Sequence, residues 1–273
     1  MDRGAMKERR ILVIGYGAIA SDLVSELLAS KETNYALGLL LRLGSSSRQK
    51  APENVAICES IDEASAFRPD LVVEAAGHAA VRESVPALLQ LGLPVLVSSI
   101  GALHDDALLT ELVDTADAHG GHIILASGAL GGLDYVRATR GANGLDIVYQ
   151  SRKPPAAWAG ELEALGHEVE ELSEPVTLFE GTAREAAASY PQNLNVAAAL
   201  ALAGPGFEGV RVAVVCDPAA KGNSHVVTAK SELGTMRIEI VNRPSPANPK
   251  SSWVVARSLL AAIRQHFSPL RML

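Results

Sequence analysis

Residues 10–20 read Arg-Ile-Leu-Val-Ile-Gly-Tyr-Gly-Ala-Ile-Ala, a short apolar run that breaks into Gly15-x-Gly17-x-x-Ala20 and continues into a helical pattern. No other stretch constrains the fold as tightly. A buried strand followed at once by a glycine turn and a helix is the opening unit of a doubly wound parallel sheet. Gly15 permits the tight turn, and Gly17 removes the Cβ that would block a pyrophosphate. Ala20 is small enough for the helix to pack closely on the strand. The helix expected over residues 18–30 turns its free N–H groups and positive dipole end toward the phosphates. Gly15, Gly17, Ala18 and Ile19 are therefore candidate cofactor contacts. The same motif alone also describes a βα turn that binds nothing, and its place at the first strand selects the dinucleotide reading.

The first half keeps alternating strand and helix. Apolar runs at 11–14, 36–41, 71–75, 94–97 and 122–126 are candidate strands, with helical patterns best developed at 81–91 and 105–119. In the latter, Leu108, Leu109, Leu112, Val113 and Ala116 recur at spacings of three and four. After the small-residue crossover Ser127-Gly-Ala-Leu-Gly-Gly132 the pattern changes to alternating strands at 146–150, 176–180, 210–216, 224–231 and 235–241. The last two flank Glu232-Leu233-Gly234, which suits a hairpin. Helices are expected at 182–189 and 194–203, and a final one after Asn248-Pro249 to about Gln265. The expected fold is α/β: a Rossmann-type doubly wound parallel sheet at 1–126, and a second α/β domain on a mixed, largely antiparallel sheet at 127–243. The C-terminal helix, within 244–273, is expected to pack back on the first domain.

Charge and cysteine usage exclude several function classes. The 273 residues carry a net charge of −7, and the 24 Lys and Arg are scattered, so nucleic acid is not an expected partner. Cys58 and Cys216 show neither metal-ligand spacing nor a disulfide framework, as expected of a chain in a reducing cytoplasm. Arg9-Arg10 precedes an apolar run too short for an export signal, and no stretch approaches the roughly 18 uninterrupted apolar residues of a membrane span. His104, His119, His122, His167 and His266 show no pairing that suggests a metal site.

NAD-specific folds usually end the second strand with an acidic residue that binds the ribose 2′-hydroxyl. Here that strand runs into Arg42-Leu-Gly-Ser-Ser-Ser47-Arg48, where a guanidinium and three hydroxyls suit a 2′-phosphate and no carboxylate is present. Arg42 is therefore a candidate reader of NADP, with NAD accepted alongside; the alternative is a solvated strand-end arginine, with the ribose acceptor elsewhere in the chain. Glu74-Ala-Ala-Gly77-His78 ends the strand of residues 71–75 at the carboxyl edge, where such sheets bind ligands. Gly77 would allow close approach of the cofactor. His78 is either a neighbour of its ribose or simply a helix-start residue.

The densest polar chemistry lies in Tyr190-Pro-Gln-Asn193-Leu-Asn195 and Asp217-Pro-Ala-Ala-Lys221-Gly-Asn-Ser-His225. Asn193 and Asn195 open an apolar helix; capping explains one of them, and a ligand contact the other. By position alone His225 is a structural histidine or a proton handler.

Together with Gly15–Ala20, Glu74–His78, Val97-Ser-Ser-Ile-Gly101, Ala126-Ser-Gly-Ala-Leu-Gly131, Ser151-Arg-Lys-Pro154 and Pro244–Lys250, these segments resemble the L-aspartate dehydrogenase family in order along nearly the whole chain. Ala20 departs from the glycine of many relatives. The resemblance implies a homodimer that oxidises L-aspartate with NAD or NADP to iminosuccinate, which hydrolyses to oxaloacetate and ammonia and in some members feeds NAD biosynthesis. It implies a catalytic role for His225, and nucleotide contacts at Ala129 and Asn195. The substrate's two carboxylates call for cations, and Arg152, Lys153 and Lys221 are the candidates. The alternatives are a related reductase of the homoserine dehydrogenase or dihydrodipicolinate reductase type, or a non-catalytic nucleotide sensor.

Overall fold

The apolar runs of the first half pair side by side, all in the same direction. The computed structural model describes residues 8–272 except 32, 165, 167–171, 191–194 and 247. The chain divides into two units, one of residues up to 126 together with 256–272, the other of residues 127–255. In the first, β1 (Arg9–Ile14), β2 (Tyr35–Leu40), β3 (Ala56–Cys58), β4 (Leu71–Glu74), β5 (Pro94–Val97) and β6 (His122–Leu125) form a parallel sheet in the order β3-β2-β1-β4-β5-β6. The connections are α1 (Ala18–Leu28), α2 (Ile61–Ala66), α3 (His78–Gln90) and α4 (Asp106–His119). This is the expected Rossmann-type order. Its direction of winding reverses between β1 and β4, which opens a crevice beyond their carboxyl ends.

Local chemistry fixes the helix ends. Ser60 Oγ accepts from the Glu63 N–H ahead of α2, and Asp105 Oδ1 accepts from Ala107 and Leu108 ahead of α4. Gly120, at φ +70°, closes α4 in the left-handed conformation. The three-residue β3 and the six-residue α2 escaped the sequence reading because neither is long enough to show a period.

The second unit holds α5 (Leu133–Ala138), β7 (Asp146–Lys153), α6 (Ala159–Ala164), β8 (Val176–Thr182), α7 (Ala183–Ser189), α8 (Asn195–Ala203), β9 (Val210–Cys216), β10 (Asn223–Ser231) and β11 (Gly234–Asn242). The strands form a mixed sheet in the order β11-β10-β7-β9-β8, with only β7 and β9 parallel. Glu232 and Leu233 make the β10–β11 turn, with Ser231 paired to Gly234.

Side chains of β7 alternate. Ile147, Tyr149, Ser151 and Lys153 are buried, level with Val210, Val212, Val214 and Cys216 of β9. Alanine-rich α7 and α8 pack against the sheet and each other, and Val196–Ala201 are all buried. Val148, Gln150 and Arg152 face the other way, level with Val226, Thr228 and the exposed Glu239 and Val241. The strand expected to stop at Gln150 in fact continues to Lys153, because the inward–outward alternation continues through the polar residues.

The C-terminal segment corrects one expectation. Residues after Asn248-Pro249 do not start a helix: β13 (Asn248–Ser252) pairs with β12 (Pro244–Ser245), and Trp253 N–H donates to Arg243 O. That hairpin engages the backbone groups a helix would need. The helix, α9, begins at Val254 and ends at Phe267. Its buried Ala256, Leu259, Leu260 and Ile263 join Leu23, Val24 and Leu27 of α1 and Ile11 and Val13 of β1 in one apolar core of the first unit. No described helix is long and apolar enough to cross a membrane.

Candidate active site

In the first unit the glycine turn after β1 borders the crevice between β1 and β4. Gly15 sits at φ +83°, and a Cβ there would come within 2.5 Å of Ala76 Cβ, so a side chain is excluded twice over. A Cβ on Gly17 would meet nothing within 4 Å, so it would project into the open crevice. Gly17 caps α1 with no side-chain hydrogen bond, and the first turn of α1 has no acidic residue. Its first N–H groups and dipole end are thus available to a phosphate, and the residues present fit a dinucleotide. Ala18 and Ile19 contribute backbone at this end, while the Ile19 side chain packs on the core.

Glu74 ends β4 with its side chain fully buried. Its Oε1 accepts from Ala76 N at 2.8 Å, Gly77 N at 2.8 Å and Ser99 Oγ at 2.9 Å, and its Oε2 accepts from Ser99 N at 2.9 Å. These four donors hold the Ala75–Gly77 loop and tie β4 to the segment after β5. Gly77, at φ +132°, leads into α3, whose first residue is His78. His78 is half-buried with Nε2 unpartnered, and burial, reinforced by His104 and Arg82, lowers its pKa.

A cavity of about 360 Å³ runs from Gly15 and Gly17 to Arg42, Ser45, Ser47 and Glu59. The structure thus brings the glycine turn and Arg42 together, with Gly77 and His78 outside that lining. The segment after β2 itself holds no carboxylate, and the one that shares the cavity with Arg42 comes from another strand. Glu59 arrives from the end of β3, whose Cys58 carbonyl accepts from Leu41 N–H at 2.9 Å. A carboxylate 17 residues along the chain from Arg42 carries no local signal unless β3 is recognised.

In the second unit His225, on β10, is 3% exposed. Its Nδ1 lies 2.8 Å from the hydroxyl of Tyr149 on β7, and its Nε2 is buried with no hydrogen-bond partner. Burial, reinforced by the charge of Lys153, pushes the imidazole pKa from its ordinary 6.5 to about 4. Burial also raises the Tyr149 hydroxyl well above a phenol's ordinary range, with Ser151 acting in the opposite sense. Lys153 shares this face, 3% exposed, with Nζ 5.2 Å from the centre of the Trp158 ring.

Its neighbour Arg152 points to the opposite face. There its guanidinium donates to Asp217 Oδ2 at 2.8 Å and Gln150 Oε1 at 3.2 Å. Lys221 is exposed in the loop between β9 and β10. Of the three cations considered for the substrate, Lys153 alone lies on the buried face with His225. Ala129 belongs to the crossover loop, and its carbonyl accepts from Asn242 Nδ2 at 2.9 Å. Gly131 lies over Ile240, which is paired with His225 across the β10–β11 ladder. Asn195 is the half-buried first residue of α8; Asn193 and His167 lie outside the described residues. Among the described residues no His, Cys, Asp or Glu cluster could hold a metal ion.

Tyr149 was missed in sequence. The signal was the period-two run Ile147-x-Tyr149-x-Ser151-x-Lys153, obscured by ending the strand at Gln150.

Comparison with known proteins agrees over both units. The family described as "Aspartate dehydrogenase, C-terminal" matches residues 134–266, and that described as "Homoserine dehydrogenase, NAD binding domain" matches 15–126. L-aspartate dehydrogenase 2 of Bordetella bronchiseptica is 49% identical over 259 residues, covering 95% of this chain and 97% of that protein. L-aspartate dehydrogenase of Ruegeria pomeroyi is 40% identical over 262 residues, covering 96% and 94%. Among solved structures, aspartate dehydrogenase of Thermotoga maritima superposes with a TM-score of 0.75 at 25% identity, covering 97% of this chain and 99% of that one.

Proposed function

The chain belongs to the aspartate dehydrogenase family, and from that premise we propose that it oxidises L-aspartate with NAD or NADP. The products are iminosuccinate, the reduced nucleotide and a proton; water then converts iminosuccinate to oxaloacetate and ammonia. The observation that carries this reading is a buried imidazole with one nitrogen engaged by Tyr149, the other unclaimed, and a lysine on the same face.

A bound dinucleotide would supply the hydride acceptor for the α-hydrogen. Gly15, Gly17 and the first N–H groups of α1, at Ala18 and Ile19, would cradle its pyrophosphate. Arg42, with Ser45 and Ser47, supplies the cation and hydroxyls for a 2′-phosphate. Gly77 and His78 would stand beside the ribose by their place after the carboxyl end of β4, while the roles of Ala129 and Asn195 toward the nicotinamide carboxamide rest on the family resemblance.

Aspartate arrives as an ammonium ion, and its nitrogen lone pair must be free before hydride can leave the α-carbon. His225 Nε2 takes that proton. For Nε2 to carry the lone pair, Nδ1 must hold the ring proton and donate it to the Tyr149 oxygen. At about 4 the imidazole is neutral in the free enzyme but a weak base. A bound dicarboxylate places negative charge beside it and raises that value, so base strength appears together with the substrate. Lys153 offers its ammonium to one substrate carboxylate.

A homodimer and a cytoplasmic setting complete the proposal. The half-exposed sheet face bearing Val148, Val226 and Val241 offers apolar area for a second copy. Cys58 and Cys216 are buried and unpaired, as suits a reducing compartment.

The test is product balance: with L-aspartate and either oxidised nucleotide, ammonia and oxaloacetate appear in proportion to reduced nucleotide. Nucleotide reduction without ammonia release contradicts the proposal.

A further inference from the structure

Glu59 is unusual among the charged residues of the nucleotide cavity. It stands with Arg42, Ser45 and Ser47 in the lining, yet it follows β3, one strand further out than the position that ordinarily carries the ribose-binding acid. Its side chain is only 22% exposed, and its Oε2 accepts from Arg48 Nη1 at 2.8 Å. Its own N–H donates to Glu63 Oε2 at 2.8 Å, which ties it to the first turn of α2. The carboxylate is thus anchored at both its backbone and its side chain.

We propose that Glu59 is the residue that reads the adenosine ribose, accepting hydrogen bonds from the vicinal hydroxyls of NAD and opposing the 2′-phosphate of NADP. Two opposed signals then share one pocket. Arg42, Ser45 and Ser47 attract a phosphate, while Glu59 binds hydroxyls and repels one. Arg48 moderates the repulsion by holding the Glu59 charge in an ion pair. Such an arrangement accepts both nucleotides, with a preference set by the carboxylate. The inference rests on the crevice being the dinucleotide site. The competing account is an ordinary surface ion pair, which contributes little and reads nothing.

The experiment is fluorescence titration of NADH and NADPH into the full chain, without any amino acid present. Glu59→Gln is expected to weaken NADH roughly tenfold or more, the worth of a charge-assisted hydrogen bond, while NADPH is retained or tightened. Glu59→Asp keeps the charge but withdraws it, so NADH weakens and NADPH gains nothing. Arg42→Ala moves the other way, losing NADPH selectively. The melting temperature of each variant without nucleotide establishes that it is folded. An unchanged NADH-to-NADPH affinity ratio in Glu59→Gln overturns the assignment, as does an equal loss for both. Because aspartate is absent, failure here is separate from failure of the substrate reading. Failure of the wild-type chain to bind either nucleotide overturns both the crevice and its reader.

Discussion

Tyr149 Oη and His225 Nδ1 lie 2.8 Å apart inside the second unit, on adjacent antiparallel strands, with their rings inclined by only 19°. The contact decides which imidazole nitrogen is left for chemistry. Tyr149→Phe keeps the ring and removes the partner, leaving Nδ1 buried and unpaired at a cost of about 1–3 kcal/mol. The expected result is a lower melting temperature together with a kcat loss greater than any change in KM, because the tautomer is no longer fixed. A variant that loses stability but keeps kcat assigns Tyr149 to packing alone.

His225→Asn retains a hydrogen-bonding group but cannot exchange a proton near neutral pH. The expected fall in kcat is about 10²–10⁴-fold, with NADH affinity retained. Near wild-type turnover in a folded, nucleotide-binding variant removes His225 from the mechanism.

The depressed pKa of His225 has a stability consequence with a definite sign. Its folded value is about 4 against an ordinary 6.5, so between these pH values the unfolded chain binds a proton that the folded chain does not. Stability therefore falls as pH drops from about 6.5 toward 4, by up to about 3 kcal/mol from this group. His225→Gln should lack that component. Denaturant unfolding of both proteins across this range checks it, and parallel curves would contradict the burial argument.

Adjacent cations on opposite faces make a paired test. Lys153→Met removes a positive charge from the His225 face and should raise the KM for aspartate about tenfold or more, the loss of one charge-assisted contact. It should also raise the pKa of His225, since the Lys153 charge lowers it. Arg152→Met breaks the pair with Asp217 and should act chiefly on stability. Equal effects on KM would show that both cations meet the substrate.

Much of this architecture was legible because it rests on local rules. The apolar run before Gly15 and the small residues at Gly17 and Ala20 specify a strand, a turn and a close-packed helix without reference to the rest of the chain. What was not legible depended on partners distant in sequence. Glu59 reaches the Arg42 pocket only through the β2–β3 pairing, and Tyr149 meets His225 across 76 residues. Arg152 and Lys153 read alike as candidate cations for the substrate, and only their place in β7 shows that these adjacent residues serve different faces. Proline after Asn248 read as a helix start, whereas pairing with Pro244–Ser245 made it a strand.

The most direct measurement is the initial rate of nicotinamide reduction by the wild-type chain with L-aspartate, set against D-aspartate, L-asparagine, L-glutamate and L-homoserine, from about pH 7 to pH 10. The account predicts turnover with L-aspartate far above the others, rising toward alkaline pH as the α-ammonium becomes easier to deprotonate. Absence of aspartate-dependent reduction of both NAD and NADP across that range, or a preference for L-homoserine, would contradict it.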